Sequence, residues 1–351
     1  MFAAAPIKEC QASSIADLKV FLAEQTEPLV IRGLCVDWPQ VIAAKQGSKN
    51  ALDYLLGLAN TAPVRSFSSQ AIHQGRYFYN ADFSGLNFSQ HADNLVSVLQ
   101  KLARLLTQTD SDSLYMGSTA VEYCAPGFSV ENPLTVTDYN CLTSLWVGNH
   151  SQIAAHYDNA DNLACVAAGK RTFTLLPTEQ VNNLYVGPLE FTPAGQAISL
   201  VDFNNPDFSR FPRFKEAIAK AQSATLGPGD AIYIPALWWH QVSATSPFNV
   251  LVNYWWRQAP EYLANPFDAM LHSMLAIKDL PNEHKQKWQQ LFNHYVFADD
   301  VDLASHVAEP APASTIPDPP DVAEPAQGIL ADIDELTARR IRQLLLQKLN
   351  R

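Results

Sequence analysis

The chain has 351 residues, and its composition is that of a folded globular protein: 47% of the residues are hydrophobic and 10% are aromatic. This length is enough to bury a sizeable core, either in one large β domain with helical additions or in two domains. Acidic residues outnumber basic ones, and the formal net charge is −11. Because an acidic surface repels nucleic acid, and no cluster of lysine or arginine offsets this charge, we expect no nucleic-acid partner.

The cysteines indicate a reducing compartment. They are odd in number, widely spaced and without a Cys-x-x-Cys motif: Cys10, Cys35, Cys124, Cys141 and Cys165. This pattern disfavours both a disulfide framework and a structural zinc site. The N-terminus lacks the basic region and apolar core of a signal peptide, and no apolar run is long enough to cross a bilayer. We therefore predict a soluble cytoplasmic protein without a membrane partner.

The N-terminal third predicts short helices and strands ahead of the main β region. A short helix over Ile15, Leu18, Phe21 and Leu22, capped by Ser13 or Ser14, is expected, and Asp37-Trp38-Pro39 is expected to open a loop. Apolar residues recur at helical spacing over 89–107, which predicts an amphipathic helix. Residues 114–116 follow it as a predicted strand.

The middle of the chain, from Leu145 to Trp256, consists of short β runs separated by turn residues. This pattern is typical of an antiparallel barrel or a double-sheet sandwich. Residues 185–226 are expected to form an insertion, with one helix from Phe214 to about residue 222. After the insertion, Pro228-Gly229-Asp230 predicts a tight turn that leads into the next strand.

The character of the sequence changes after Pro260. Residues 261–296 are helical by composition, and the following stretch is rich in Pro, Ala, Asp and Glu, as in an extended linker. Apolar residues over 328–349 form the stripe of a final amphipathic helix. We therefore predict four parts: a main domain with N-terminal helical and β elaboration at 1–259, a helical extension at 260–302, a linker at 303–327 and a C-terminal helix at 328–351.

Two short segments carry metal-binding side chains at spacings that suit a single ion. His156 and Asp158 are two residues apart, so on a strand both point to one face while Tyr157 points away. His240 follows a later turn-and-strand pattern, as expected if a neighbouring strand lies alongside. Two histidines and one carboxylate on one side of an ion are typical of non-heme Fe(II) oxygenases. Each motif alone is weak, since such residues are more often surface or hydrogen-bonded core residues, but the combination predicts a metal site.

Further segments extend this pattern in the same order: Leu175-Leu176-Pro177, Val201-Asp202-Phe203, Asn205-Pro206-Asp207-Phe208, Arg210-Phe211-Pro212, Gly227-Pro228-Gly229-Asp230, Tyr233-Ile234-Pro235, Trp238-Trp239-His240 and Val252-Asn253-Tyr254-Trp255. On these residues, the chain from about Pro28 to Trp256 resembles the cupin-like Jumonji-C family, and in particular its asparaginyl hydroxylases. The resemblance implies a mainly β double-stranded β-helix, or jelly roll, with flanking N-terminal and C-terminal helices. It also implies that Fe(II), held by His156, Asp158 and His240, acts with 2-oxoglutarate as cosubstrate and O2 to hydroxylate a substrate, with release of succinate and CO2.

The resemblance further implies a set of residues that bind 2-oxoglutarate. The family's lysine for the distal carboxylate falls on Arg171 in a gap-free count, with Lys170 beside it on the opposite face. We favour Arg171, since a guanidinium can bind a carboxylate through two parallel hydrogen bonds, but a single bulge would exchange the two residues. Tyr115 matches a tyrosine that donates to the same carboxylate, with ordinary strand packing as the alternative. Asn162 and Asn253 match two asparagines near the metal-binding end of the cosubstrate.

One departure affects the same site. The family's threonine three residues before the first histidine is replaced by Ile153, which removes a hydroxyl from the cosubstrate site. This leaves open how strongly 2-oxoglutarate binds, and which 2-oxo acid is used.

The C-terminal helices have two interpretations. In the family's asparaginyl hydroxylases, helices after the jelly roll build a homodimer, and the apolar stripe on 329–349 suits that role. Packing of these helices on their own barrel is the alternative. We favour a homodimer, because a linker of this length can reach a neighbouring subunit.

Three classes of function are therefore considered. The favoured one is an Fe(II)- and 2-oxoglutarate-dependent hydroxylase acting on a side chain of a protein or peptide, or on an amino-acid-like small molecule. Histone demethylation is disfavoured, since the sequence has no clustered cysteines for a chromatin-reading zinc module. The others are a cupin-fold metalloprotein with a different divalent metal and non-oxidative chemistry, and a non-catalytic ligand-binding cupin. The intact His-Asp-His set argues against the last of these.

Overall fold

The structure is a computed structural model that describes residues 4–108, 110–193, 195–298, 303 and 333–349. The chain divides into two compact units, Met1–Gln258 and Ala259–Arg351. None of the helices in these described ranges is both long and apolar enough to pass through a bilayer.

Strands and helices are numbered here in chain order. The strands are Ala5–Pro6 (β1), Lys8–Gln11 (β2), Leu29–Arg32 (β3), Pro63–Ser69 (β4), Arg76–Tyr77 (β5), Ser89–Asn94 (β6), Ser113–Ala120 (β7), Cys141–Gly148 (β8), Ser151–His156 (β9), Asp161–Ala168 (β10), Arg171–Leu176 (β11), Gln222–Leu226 (β12), Ala231–Ile234 (β13), Trp239–Ala244 (β14) and Asn249–Trp256 (β15). The α-helices are Leu18–Ala23 (α1), Pro39–Gln46 (α2), Ser48–Leu58 (α3), Leu95–Leu105 (α4), Val121–Cys124 (α5), Phe128–Glu131 (α6), Phe214–Ile218 (α7), Pro266–Ile277 (α8), Asn282–Tyr295 (α9) and Glu335–Leu349 (α10).

The strands of the first unit form two sheets. Within the described residues, one sheet has six strands in the order β1-β12-β11-β14-β9-β5, and the other has nine in the order β2-β3-β13-β10-β15-β8-β7-β4-β6. Most neighbours are antiparallel, but β1 with β12, β2 with β3 and β5 with β9 run parallel, so the sheets are mixed and not purely antiparallel as expected. The predicted mainly β jelly roll with flanking helices is confirmed.

The core between the two sheets is built by alternation along central strands. In β10, Ala164 and Val166 point into the space between the sheets, while Leu163 and Cys165 point to the opposite side. On the facing sheet, Phe173 and Leu175 of β11 enter the same inner core. Because β10 is buried on both faces, most of its sequence is a continuous apolar run and does not alternate between apolar and polar residues.

Both outer faces of the jelly roll are also covered. The buried faces of helices α1 to α4 pack on the nine-stranded sheet and supply residues such as Leu22, Leu52 and Leu99. The insertion between β11 and β12 covers the six-stranded sheet, where Phe214 of α7 joins the cluster that contains Trp239. The two sheets are therefore held from outside as well as from inside.

The predicted helix over 89–107 is wrong in its first turns. Ser89–Asn94 forms β6, which pairs with β4, and helix α4 starts only at Leu95. The cause lies in the sequence, since the segment has no large apolar side chain to face a core. Asn94 then caps the helix, because its side-chain oxygen accepts a hydrogen bond from the backbone N–H of Ser97 at 2.9 Å.

Two smaller expectations also need correction. Pro39, expected in a loop, is the first residue of α2, a position where its missing N–H costs nothing. The insertion helix ends at Ile218 and not near residue 222, because β12 begins at Gln222 and pairs with both β11 and β1.

The second unit is helical in its described part. Helices α8 and α9 lie within the predicted helical range 261–296, and α10 lies within the predicted final helix. The predicted linker at 303–327, apart from residue 303, lies outside the described residues, as do 328–332. None of the residues of these three helices is buried.

Gly169 makes the turn between β10 and β11 with a φ of +75°, at a point where the backbone passes close to Phe248 and Asn249. A Cβ there would lie 2.5 Å from the carbonyl oxygen of Phe248 and closer still to the side-chain oxygen of Asn249. We expect Gly169→Ala to destabilise the fold by about 2–4 kcal/mol, measured by urea unfolding. Gly57→Ala is the control, because a Cβ at Gly57 of α3 meets nothing within 4 Å, and it should stabilise by up to about 1 kcal/mol. Equal stability of the two variants would contradict this description of the turn.

Candidate metal centre and cosubstrate cavity

The register between β9 and β14 places two histidines directly opposite each other. His156 is the last residue of β9, and its Cα partner on the antiparallel neighbour is His240. Their ring centroids are 4.3 Å apart. The predicted juxtaposition of these two side chains therefore follows from backbone pairing.

Asp158 completes the group from just beyond the end of β9. Its Oδ2 lies 3.6 Å from Nε2 of His240, and one ligand atom from each of the three residues lies within 4.8 Å of the others. Tyr157 points away, as expected, and its ring packs edge-on against Trp239 with centroids 4.9 Å apart. The structure thus brings together all three residues predicted to bind the metal.

Backbone carbonyls fix which nitrogen of each histidine is free. Nδ1 of His156 lies 2.9 Å from the carbonyl oxygen of Ala154, and Nδ1 of His240 lies 3.0 Å from that of Trp238. A carbonyl oxygen only accepts, so each Nδ1 carries the proton and donates it. In a neutral imidazole, Nε2 then has a free lone pair, the arrangement usual for metal-binding histidines.

The charge state of His240 also suits metal binding. Burial, with the nearby His156 as second cause, lowers the pKa of His240 to about 4, although Asp158 acts in the opposite direction. Because only 4% of His240 is exposed, a proton on its ring would be poorly solvated. His240 is therefore neutral near pH 7, with its lone pair available.

A buried carboxylate holds the loop that precedes His240. Oδ1 of Asp161 accepts hydrogen bonds from the Tyr233 hydroxyl at 3.0 Å and the Ala236 backbone N–H at 3.1 Å, and Oδ2 accepts from Gln258 at 2.9 Å. One residue further on, the Leu237 N–H donates to the carbonyl oxygen of Asp158 at 2.8 Å. Asp161 was not among the residues predicted for the site, although an acid at the start of a continuous apolar strand was a signal for it.

A cavity of about 930 Å³ lies between the two sheets and includes the His-Asp-His group in its wall. Arg171 enters it from β11, on the same face as the inner-core residue Phe173. Only 3% of Arg171 is exposed, whereas the neighbouring Lys170 lies exposed on the turn. Arg171, the first residue of β11, therefore lies in the cavity wall, whereas Lys170 lies outside the strand on the turn.

Arg171 is a buried cation without a carboxylate. None of the ion pairs between described residues involves it, and its Nε has no hydrogen-bond partner. Burial lowers the pKa of Arg171 to about 10, so it still carries its charge at pH 7. An unpaired buried charge is costly, and a bound carboxylate would compensate it. Arg171 therefore fits one end of a dicarboxylate.

The other predicted cosubstrate residues lie in the same cavity wall. Tyr115 stacks on Trp146 with ring centroids 5.8 Å apart, and burial raises the pKa of Tyr115, so its hydroxyl stays a donor. Nδ2 of Asn253 donates to Oδ1 of Asn162 at 2.6 Å, while Oδ1 of Asn253 is buried without a partner. Ile153 also lines the cavity, as an apolar wall.

The residues present fit the groups that the resemblance implies. Two imidazoles and a carboxylate face one point, as the two-His-one-carboxylate arrangement for Fe(II) requires. In the same cavity, Arg171 provides an uncompensated positive charge for an anionic cosubstrate. The roles of these residues toward metal and 2-oxoglutarate stay predictions.

Comparison with known proteins agrees with this geometry. The family described as "Cupin-like domain" matches residues 17–262. Three curated relatives are the lysine-specific demethylase JMJ31 of Arabidopsis thaliana, the human HSPB1-associated protein 1 and the tRNA wybutosine-synthesizing protein 5 of Danio rerio. They are 33%, 28% and 35% identical to this chain over 134, 150 and 109 residues.

These matches are partial on both sides. They cover 37%, 42% and 31% of this chain, and 24%, 30% and 30% of the respective relatives. The chain thus matches less than a third of the length of each relative. The family match, in contrast, spans most of the first unit, from α1 through β15. With its jelly roll and its His-Asp-His group, the chain belongs to the cupin-like (Jumonji-C) family.

Proposed function

We propose that this protein is an Fe(II)- and 2-oxoglutarate-dependent oxygenase that hydroxylates a side chain of a protein or peptide, or an amino-acid-like molecule. One observation carries the proposal. A single cavity contains three convergent ligand groups and, separately, a buried arginine without a carboxylate partner. This pair of features suits a metal ion and an anionic cosubstrate bound side by side.

In this proposal, His156, Asp158 and His240 hold the ferrous ion from one side. The bound iron, together with 2-oxoglutarate and O2, supplies the oxidation that converts a C–H bond to C–OH and yields succinate and CO2. The protein itself contributes position and electrostatics. The carbonyls of Ala154 and Trp238 keep each imidazole in the orientation that presents Nε2.

Arg171 binds the distal carboxylate of 2-oxoglutarate in this scheme, and the Tyr115 hydroxyl donates to the same group. We assign Asn162 and Asn253, which are hydrogen-bonded to each other in the cavity wall, to the metal-binding end of the cosubstrate. Aromatic side chains such as Trp146 and apolar ones such as Ile153 line the cavity around the buried Arg171. In such a low-dielectric environment, the pairing of Arg171 with a carboxylate is stronger than in water.

The names of the relatives point to more than one class of substrate, including methylated lysine and tRNA. For this chain we propose a protein, a peptide or an amino-acid-like molecule. The acidic excess that gives a net charge of −11 disfavours a nucleic-acid substrate. All five cysteines are free thiols, which supports our further proposal of a cytoplasmic location.

The assignment of Arg171 is testable by anaerobic titration of the Fe(II)-loaded protein with 2-oxoglutarate, followed through the weak visible charge-transfer band. We expect Arg171→Gln to weaken 2-oxoglutarate binding by about 10–100-fold, since a lost charge-assisted hydrogen bond costs about 1.5–3 kcal/mol. Lys170→Gln is the matched control, because this substitution removes the same charge from an exposed position. It should bind 2-oxoglutarate like the wild type.

The same titration can contradict the proposal in two ways. If the wild type shows no charge-transfer band and no succinate in turnover, the oxygenase assignment fails. If the band is normal in Arg171→Gln but weakened in Lys170→Gln, the oxygenase assignment stands and the identity of the cation is wrong.

We also propose a homodimer, with residues 1–259 as the catalytic domain, 260–302 as a helical extension, 303–327 as a linker and 328–351 as the dimerisation helix. What supports it is the number of exposed apolar side chains on the second unit's helices. On α10 these include Leu336, Leu344, Leu345, Leu346 and Leu349, each between 46% and 74% exposed. Such a concentration of exposed leucines on one helix marks an interaction surface.

A substitution in α10 tests this interface. We expect Leu345→Glu to shift the protein from dimer to monomer in sedimentation velocity, because a charge cannot be buried in an apolar contact without a partner. Gln347→Glu introduces the same charge at an exposed polar position of the same helix and should leave the dimer intact. A monomeric wild type at micromolar concentration would rule the dimer out.

A further inference from the structure

The cavity has an outer end that the metal centre and the cosubstrate do not use. Beyond Tyr115, its wall continues onto β4, β6 and β7, where Arg65, Gln90 and His91 lie exposed. This end is formed by the part of the nine-stranded sheet farthest from β13 and β3. It is therefore open to a molecule that arrives from solvent.

Strand register shows that Arg65 faces the cavity. Phe67 pairs with Tyr115 of β7 on one side and with Gln90 of β6 on the other. Arg65 is two residues before Phe67 on the same strand, so its side chain lies on the same face. Val64, one residue earlier, points to the opposite face and packs with the helices.

The surface between the metal centre and Arg65 is largely aromatic. Ring centroids of consecutive neighbours lie 5.2–5.8 Å apart from Phe88 through Tyr77 and Tyr115 to Trp146. Gly117 leaves this wall open, since a Cβ there would lie 3.1 Å from the ring of Phe67. A small dicarboxylate fills only part of 930 Å³, so a continuous apolar trough remains for substrate.

The cavity wall has more basic side chains than acidic ones. Its charged or titratable side chains, apart from tyrosines, are Arg65, His91, Arg171, His156, His240 and a single carboxylate, Asp158. Four of these groups belong to the proposed metal and cosubstrate sites. His91 pairs in register with Ser66, on the face opposite to Arg65, and its Nε2 lies 2.8 Å from Oγ of Ser68. Arg65 is therefore the one remaining cation that faces this described wall. No ion pair between described residues involves Arg65. An arginine at the cavity mouth without an ion pair suits an anionic partner.

We propose that Arg65 is a specificity-determining residue that pairs with an acidic side chain of an extended peptide substrate. The inference rests on the proposed oxygenase function and deepens it. Arg65 on β4 is three strands away from Asn253 on β15 in the nine-stranded sheet. A peptide that enters from this open end therefore passes Arg65 on its way to the metal centre.

The test measures binding without turnover. The protein, loaded with Mn(II) and N-oxalylglycine, is titrated with fluorescein-labelled peptides of about twelve residues, randomised among uncharged residues. Matched sets differ only in having Glu, Gln or Lys at one position. We expect the Glu set to bind about tenfold more tightly than the Lys set, with the difference shrinking at high salt.

Two variants with the same change in charge identify the residue responsible. Arg65→Glu should reverse the order, so that the Lys set binds more tightly than the Glu set. Arg104→Glu should keep the wild-type order, because Arg104 is exposed in the last turn of α4, a helix that packs on the opposite face of the sheet. If Arg65→Glu fails to fold, Arg65→Gln takes its place in the test. This neutral variant should bind all three sets alike.

Three results would overturn the inference. These are equal binding of the Glu and Lys sets by the wild type, an unchanged order in both Arg65 variants, or competition by free glutamate as strong as by the peptides. The last would indicate a small anionic substrate. The charge-transfer band, recorded on the same preparation, separates this failure from failure of the oxygenase: a normal band without peptide preference rejects only the role of Arg65.

Discussion

The antiparallel pairing of β9 with β14 is the constraint on which the candidate site depends. It places His156 across from His240, and the chain that leaves β9 then carries Asp158 to the same point. A shift of one residue in this register would turn one imidazole to the outer face, where Tyr157 and Trp239 now pack. The apolar packing on both sides of the six-stranded sheet therefore fixes the metal-binding geometry as well as the fold.

The same cavity contains two buried groups with opposite needs: His240 can bind a cation, whereas Arg171 lacks an anion. Burial keeps His240 neutral at pH 7, which leaves a lone pair for a cation, while Arg171 stays charged and lacks an anion. A metal-bound dicarboxylate satisfies both at once, because its two ends carry the ligand atoms and the negative charge that the wall lacks. The costs of burying these groups without partners are then compensated by a single bound assembly. This is why we read the cavity as a preorganised site and not as a packing defect.

Local patterns were enough to predict much of this site from the sequence. The His-x-Asp spacing and the Pro-Gly-Asp turn before β13 are short-range signals, whereas Arg171 was favoured over Lys170 through the family resemblance. Asp161 was missed because its partners Tyr233, Ala236 and Gln258 are far away in the chain. Strand β6 was missed because Ser89–Asn94 has no β pattern of its own and is defined by pairing with β4. Contacts of this kind arise only when the fold brings distant segments together.

The central claim, that one ferrous ion is held by these three side chains next to a carboxylate site at Arg171, is tested most directly by anomalous diffraction. Crystals would be grown without oxygen in the presence of Fe(II) and N-oxalylglycine. We predict one iron peak at about 2.0–2.2 Å from Nε2 of His156, Nε2 of His240 and a carboxylate oxygen of Asp158. The distal carboxylate of the analogue should lie on the guanidinium of Arg171. An iron peak elsewhere, none at all, or a carboxylate directed away from Arg171 would contradict the account.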